Sequence, residues 1–145
     1  MKSVIFNAGT DILNFVPNDP MKEIQQEYLL KTSPPILFSR ISSGPGLAEW
    51  FADDVIVEGG IYRFYWGDVV QEAEIVRIIP DESIRFRWLD PGVPGEFEFC
   101  IVKDDLTGDI ALIISDNIDD EDEQDAKILW DSQVSRLKQV IGSLS

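Results

Sequence analysis

Residues 120–144 read DEDEQDAKILWDSQVSRLKQVIGSL, and this stretch decides the fold. Ala126, Trp130, Val134, Leu137, Ile141 and Leu144 recur every three or four positions. That spacing draws one apolar stripe along a helix of about 25 residues. Such a stripe needs a broad apolar surface to lie on. Nearly everything between Asp53 and Asp116 alternates with a period of two, so the economical arrangement is an antiparallel sheet curved around this one helix. The fold class is α+β.

Outward from the helix, strands are predicted at 54–58, 61–66, 69–79, 83–90, 95–103 and 109–116. The breaks carry turn residues: Gly59-Gly60, Gly67-Asp68, Pro80-Asp81, then 91–94 and 104–108. Connections this short hold no crossover helix, so the strands run as a meander. A further strand at 23–32, with Ile24, Tyr28 and Leu30 on one face and Gln25, Glu27 and Lys31 on the other, closes an edge, which makes about seven strands. Ser33 before Pro34 and Pro35 reads as an N-cap with prolines in the first turn, opening a short helix that carries Leu37 and Ile41 inward. Ser43-Gly44-Pro45-Gly46 interrupts it, and a second short helix at 47–51 sets Leu47, Trp50 and Phe51 on one side. Residues 1–20 hold two apolar clusters with no sustained period and are expected to form a loosely ordered extension, leaving 21–145 as the domain.

Composition narrows the chemistry. Twelve Lys and Arg against 27 Asp and Glu give a net charge of -15, a field that repels phosphate backbones and anionic lipid surfaces. Neither nucleic acid nor membrane insertion is expected, and the chain reads as a cytoplasmic monomer. The single cysteine, Cys100, forms no internal disulfide; it sits among polar strand positions and reads as inert. Histidine is absent, which removes Ser-His and Cys-His nucleophile pairs and the imidazole base. No catalytic constellation, metal site or cofactor emerges, and the protein is expected not to be an enzyme.

The two faces of the sheet separate cleanly. Ile84, Phe86 and Trp88 oppose Arg85 and Arg87, while Phe97 and Phe99 oppose Glu96 and Glu98. Paired polar faces predict a solvated Arg–Glu ladder on the convex side, and Glu72 and Glu74 read as solvated too. The other face collects Phe64, Trp66, Phe86, Trp88, Phe97 and Phe99, with Trp130 and Leu137 from the helix and Trp50 and Phe51 from the short helices. Two readings stand: a filled core, the commoner use of aromatic stripes, or a ring-lined cavity for an apolar ligand. Seven carboxylates between Asp116 and Asp125 lack the Gly and alternation of a calcium loop and read as charge placed at the helix start.

One strand, two short helices, six strands and a long last helix resemble the helix-grip fold of START domains, plant pollen-allergen proteins and polyketide cyclases, over roughly 21–144. Leu47-Ala48-Glu49-Trp50-Phe51-Ala52-Asp53-Asp54-Val55 carries the resemblance most specifically through its Trp-Phe pair. Ile84-Arg85-Phe86-Arg87-Trp88 and Leu129-Trp130-Asp131-Ser132-Gln133 support it. Within that superfamily the chain looks most like small bacterial START-like domains related to the activator of the heat-shock-protein-90 ATPase. The resemblance implies a cavity between the long helix and the sheet, of the kind that holds lipids, sterols, hormones or polyketides. It implies a binder lined by Trp50, Phe51, Phe64, Trp66, Phe86, Trp88, Phe97, Phe99, Trp130 and Leu137. One alternative is a co-chaperone-like module that docks its acidic surface on a basic protein partner. Another is a cofactor-free cyclase or hydrolase, for which Tyr62 is the candidate polar group.

Overall fold

The computed structural model describes residues 21–142. Seven antiparallel strands form one curved sheet: β1 (Met21–Leu30), β2 (Asp54–Glu58), β3 (Ile61–Trp66), β4 (Val69–Ile79), β5 (Ser83–Trp88), β6 (Glu96–Lys103) and β7 (Ile110–Asp119). Their order is β1-β7-β6-β5-β4-β3-β2, so consecutive strands from β2 to β7 pair in a meander and β1 closes the edge beside β7. Gly59 and Gly60, with φ of 58° and 83°, make the β2–β3 turn in a backbone region that L side chains resist. A bulge between Ile75 and Arg77 interrupts the β4–β5 register and adds local bend and twist to the longest strand.

Helices α1 (Pro34–Ser42) and α2 (Gly44–Leu47) follow β1, and α3 (Glu123–Val140), led by a 3-10 turn at Asp120–Asp122, ends the described chain. Helix α1 starts at the two prolines and buries Leu37 and Ile41, as the sequence predicts, although the Ser33 side chain makes no cap hydrogen bond. The second helix differs from expectation. Ser43, read as an interruption, is its N-cap and accepts from Gly46 N, so the helical turn lies over Gly44–Leu47 and residues 48–51 continue as turn.

Helix α3 is also shorter than its stripe suggests. Residues 120–122 take the tighter 3-10 form, and Ile141 is a C-cap whose N–H returns to the Leu137 carbonyl. Trp130, Val134 and Leu137 are its buried side chains, Ala126 and Ile141 are half-buried, and Leu144 lies outside the described residues. The extension expected at 1–20 lies outside them as well. Strand ends shift by two or three residues: β1 begins at Met21, β5 stops at Trp88, and β7 runs on to Asp119.

Candidate functional site

The concave face is an aromatic cluster. Phe64, Trp66, Phe86, Trp88, Phe97 and Phe99 alternate inward from β3, β5 and β6, Trp50 and Phe51 enter from the turn after α2, and Trp130 and Leu137 press down from α3. The structure thus brings all ten side chains singled out in the sequence into one body. Nine are buried, and Trp66 is half-buried at its margin. The rings touch one another: Phe86 stacks on Phe97 at 4.8 Å, Phe51 lies parallel to Trp130 at 5.7 Å, and Phe51 meets Phe64 edge-on at 5.0 Å. Such pairs add about 0.5–1.5 kcal/mol each beyond area burial. A molecule entering here has to part ring from ring.

Polar groups thread this cluster at its helix side. The Trp130 indole donates to Asp116 Oδ2 at 3.0 Å inside the core. Trp66 Nε1 and Gln133 Nε2 both donate to the Phe51 carbonyl, at 2.8 and 2.9 Å, so the turn after α2, strand β3 and helix α3 meet at one oxygen. On the β1 side, Tyr28 donates to Asp131 Oδ1 at 2.6 Å and Gln26 donates to the same oxygen at 2.9 Å. Burial first, and the bond to Asp131 next, push the Tyr28 phenol up. Farther out, Lys22 pairs with Glu123 and Asp120, and Lys127 with Glu123.

Tyr62 is buried on the concave face, but its hydroxyl donates to the Ser42 carbonyl at 2.5 Å, and burial pushes its pKa up. It fastens the end of α1 to β3. Cys100 is half-buried on the opposite face; burial first, then Glu98, pushes its thiol up. Among the described residues no three Cys, Asp or Glu side chains stand close enough to hold a metal ion. No helix among them is long and apolar enough to cross a membrane.

The convex face carries the predicted ladder. Arg85 stands opposite Glu98, and Arg87 opposite Glu96. The shortest contact is diagonal: Arg85 Nε reaches Glu96 at 2.5 Å, and Arg87 bridges Glu96 and Glu74 at 3.2 and 3.1 Å. The hydrogen bond from Arg85 is the main cause holding the Glu96 carboxyl below its usual range.

Asp116, Gln133, Asp131, Gln26 and Tyr28 were not singled out as a set in the sequence. Sequence composition groups Asp116 with the acidic run at the helix start, but it is a buried residue of β7 bonded to Trp130, so that run serves the helix only from Asp120 onward. A signal for it existed. Leu112, Ile114, Asp116 and Ile118 share the even-numbered, inward face of β7.

A curved antiparallel sheet holding one long C-terminal helix, with two short helices after the first strand, defines a helix-grip α+β domain. The family model described as a START-like superfamily domain matches residues 19–143, and the chain belongs to that superfamily. A solution structure of BfR322 from Bacteroides fragilis is 41% identical, with a TM-score of 0.60, covering 83% of this chain and 91% of that one. The Aha1 dimer from Colwellia psychrerythraea is 14% identical with a TM-score of 0.71, covering 83% and 96% of the two chains. CalU16 from Micromonospora echinospora is 15% identical with a TM-score of 0.68, covering 87% and 78%. No curated protein matches the chain.

Proposed function

We propose that this domain is a non-enzymatic binder that takes a small hydrophobic or amphipathic molecule between α3 and the sheet. One observation carries the reading: α3 buries only three of its 18 residues, Trp130, Val134 and Leu137, and is otherwise tied down by hydrogen bonds that Trp130 and Gln133 donate and that Asp131 accepts from Tyr28. Lifting such a helix exchanges a few hydrogen bonds with water, each worth about 0.5–1.5 kcal/mol net, and exposes three apolar side chains at about 1.5–3 kcal/mol each, which a bound apolar molecule would cover again. Lifting parts the rings beneath it, with half-buried Trp66 on the entry side. Binding rather than turnover is favoured because Tyr62 and Asp116, the ionisable groups on the concave face near the rings, are engaged with Ser42 and Trp130.

The test is a heteronuclear NMR titration with fatty acids, sterols and aromatic polyketides, following the four indole N–H signals. Saturable shifts at Trp88 and Trp130, with the Trp88 shift lost in Trp130→Leu, support the reading. Absence of any shift, together with slow exchange of the amides of β5, β6 and α3, overturns it.

A second reading has an observation of its own. Ile56, Glu58, Ile61, Arg63, Glu72 and Leu89 line a shallow outer concavity of about 310 Å3 that mixes three aliphatic side chains with two acids and one base. That suits a basic, aliphatic segment of another protein, whose binding then weakens sharply between 50 mM and 500 mM salt, whereas apolar burial under α3 does not. Copies each carrying a charge of -15 repel one another, so the protein is proposed to be a monomer, which sedimentation at several salt concentrations checks.

A further inference from the structure

Three of the four indoles have satisfied N–H groups. Trp50 donates to the Arg40 carbonyl at 2.8 Å, Trp66 to the Phe51 carbonyl at 2.8 Å, and Trp130 to Asp116 at 3.0 Å. The fourth does not. Trp88 is 5% exposed, and its Nε1 meets no acceptor among the described residues. An unpaired buried donor is a cost that a phenyl ring at the same place would avoid, and buried donors in folded proteins are nearly always paired. The indole stands 4.8 Å from Phe97, 5.9 Å from Phe64 and 6.5 Å from Trp66, the ring at the cluster's margin.

We infer that Trp88 Nε1 is the polar anchor of the ligand site, and that the ligand is a neutral, flat, apolar molecule carrying a carbonyl or ether oxygen. The inference rests on the binding reading above and narrows it. Ring surroundings select a flat apolar body, and the Trp88 donor selects an acceptor atom, with the buried Gln71 amide the nearest polar side chain on the adjacent strand's inward face. Charge selects neutrality. The buried charged side chain of the described residues is Asp116, opposite Phe97 in the β6–β7 register, and no Lys or Arg is buried with it. A carboxylate beside Trp88 would be desolvated on the same sheet face as that like charge, with no buried cation to pair it. A ketone oxygen is desolvated at far smaller cost and gains the hydrogen bond.

Three matched probes test this on the intact protein: 1-indanone, indane and indane-1-carboxylate, titrated while the indole N–H signals are followed. The expected result is a downfield shift of the Trp88 signal with 1-indanone and an affinity about three- to tenfold above that for indane. The carboxylate should bind more weakly than either. Trp88→Phe, which keeps a ring and removes the donor, should erase the preference for the ketone. Equal binding of indanone and indane to the unaltered protein, or tighter binding of the carboxylate, overturns the anchor while leaving a ligand site in place. If none of the probes moves any indole signal, the binding reading falls and the anchor with it.

Discussion

The indole of Trp130 and the carboxylate of Asp116 share a 3.0 Å hydrogen bond in which both residues are buried, so the longest helix and strand β7 are joined inside an aromatic core. Trp130→Phe keeps the ring stack on Phe51 and removes the indole donor from a buried carboxylate. It should destabilise the fold by about 1–3 kcal/mol. Asp116→Asn should cost less, because its amide oxygen still accepts. Urea unfolding of the two variants gives the order.

Gly46 is held by its surroundings rather than by its backbone angle. A Cβ there would lie 2.2 Å from the Ser39 carbonyl oxygen and 2.7 Å from the Arg40 Cα, so α1 and α2 would have to separate. Gly46→Ala should lose more than about 2 kcal/mol, an overpacking penalty with no flexible neighbour to absorb it. Gly59→Ala, where the new atom meets nothing within 4 Å but φ is 58°, should lose about 1 kcal/mol. Thermal unfolding separates the cases.

Lys127 first, and Lys22 second, hold the Glu123 carboxyl down at about 2, from an ordinary 4.5. A depressed folded-state pKa means that the stabilisation is present above pH 4.5 and fades as pH falls towards 2. The Tm difference between the native chain and Glu123→Gln should therefore be visible at pH 7 and shrink progressively below pH 4.5. A difference unchanged at pH 2.5 would contradict the pairing.

Tyr28 titrates in the opposite sense. Its pKa is raised from 10.0, by burial and then by Asp131, so its contribution is present below pH 10.0 and is lost as pH climbs above that value. Hydrogen exchange in the third turn of α3 should accelerate with pH beyond the intrinsic rate above pH 10, and Tyr28→Phe should show faster exchange there already at pH 7.

Arg85 is flanked by Glu96 and Glu98, with Glu23 at 3.9 Å, and is only 23% exposed, which places this pair above an ordinary surface ion pair. A double-mutant cycle of Arg85→Gln and Glu96→Gln should return a coupling of about 0.5–1 kcal/mol at low salt. In 1 M NaCl the coupling should shrink by half or more.

Much of this architecture was legible because period and punctuation agree. Leu37 and Ile41 fall inward behind two prolines, and Phe86, Trp88, Phe97 and Phe99 alternate against Arg and Glu without a break. What escaped depends on three-dimensional closeness. Gly44 and Pro45 look like a helix breaker until Ser43 caps them, and Gly46 is required by the close approach of Ser39, which local sequence does not announce. Asp116 was hidden by the acidic residues after it, since composition groups what the strand's alternation divides. Trp88 carried no mark setting it apart from the other three tryptophans. Its lack of a partner is a property of neighbours drawn from β3, β4 and β6.

The register of β1 with β7 sets a timetable for the chain. Met21 faces Asp119 and Leu30 faces Ile110, partners roughly eighty to a hundred residues apart, whereas β2 to β6 each meet their neighbour across a short turn. The central hairpins can therefore assemble from local encounters, while docking β1 closes the largest loop and makes the late, slow step, as in other topologies of high contact order. On a ribosome adding about 5–20 residues per second, β1 waits on the order of 5–20 s before its partner is made. Lys22, Glu23 and Glu27 put charge on that waiting strand, the kind of side chain that blunts edge-to-edge pairing with another molecule.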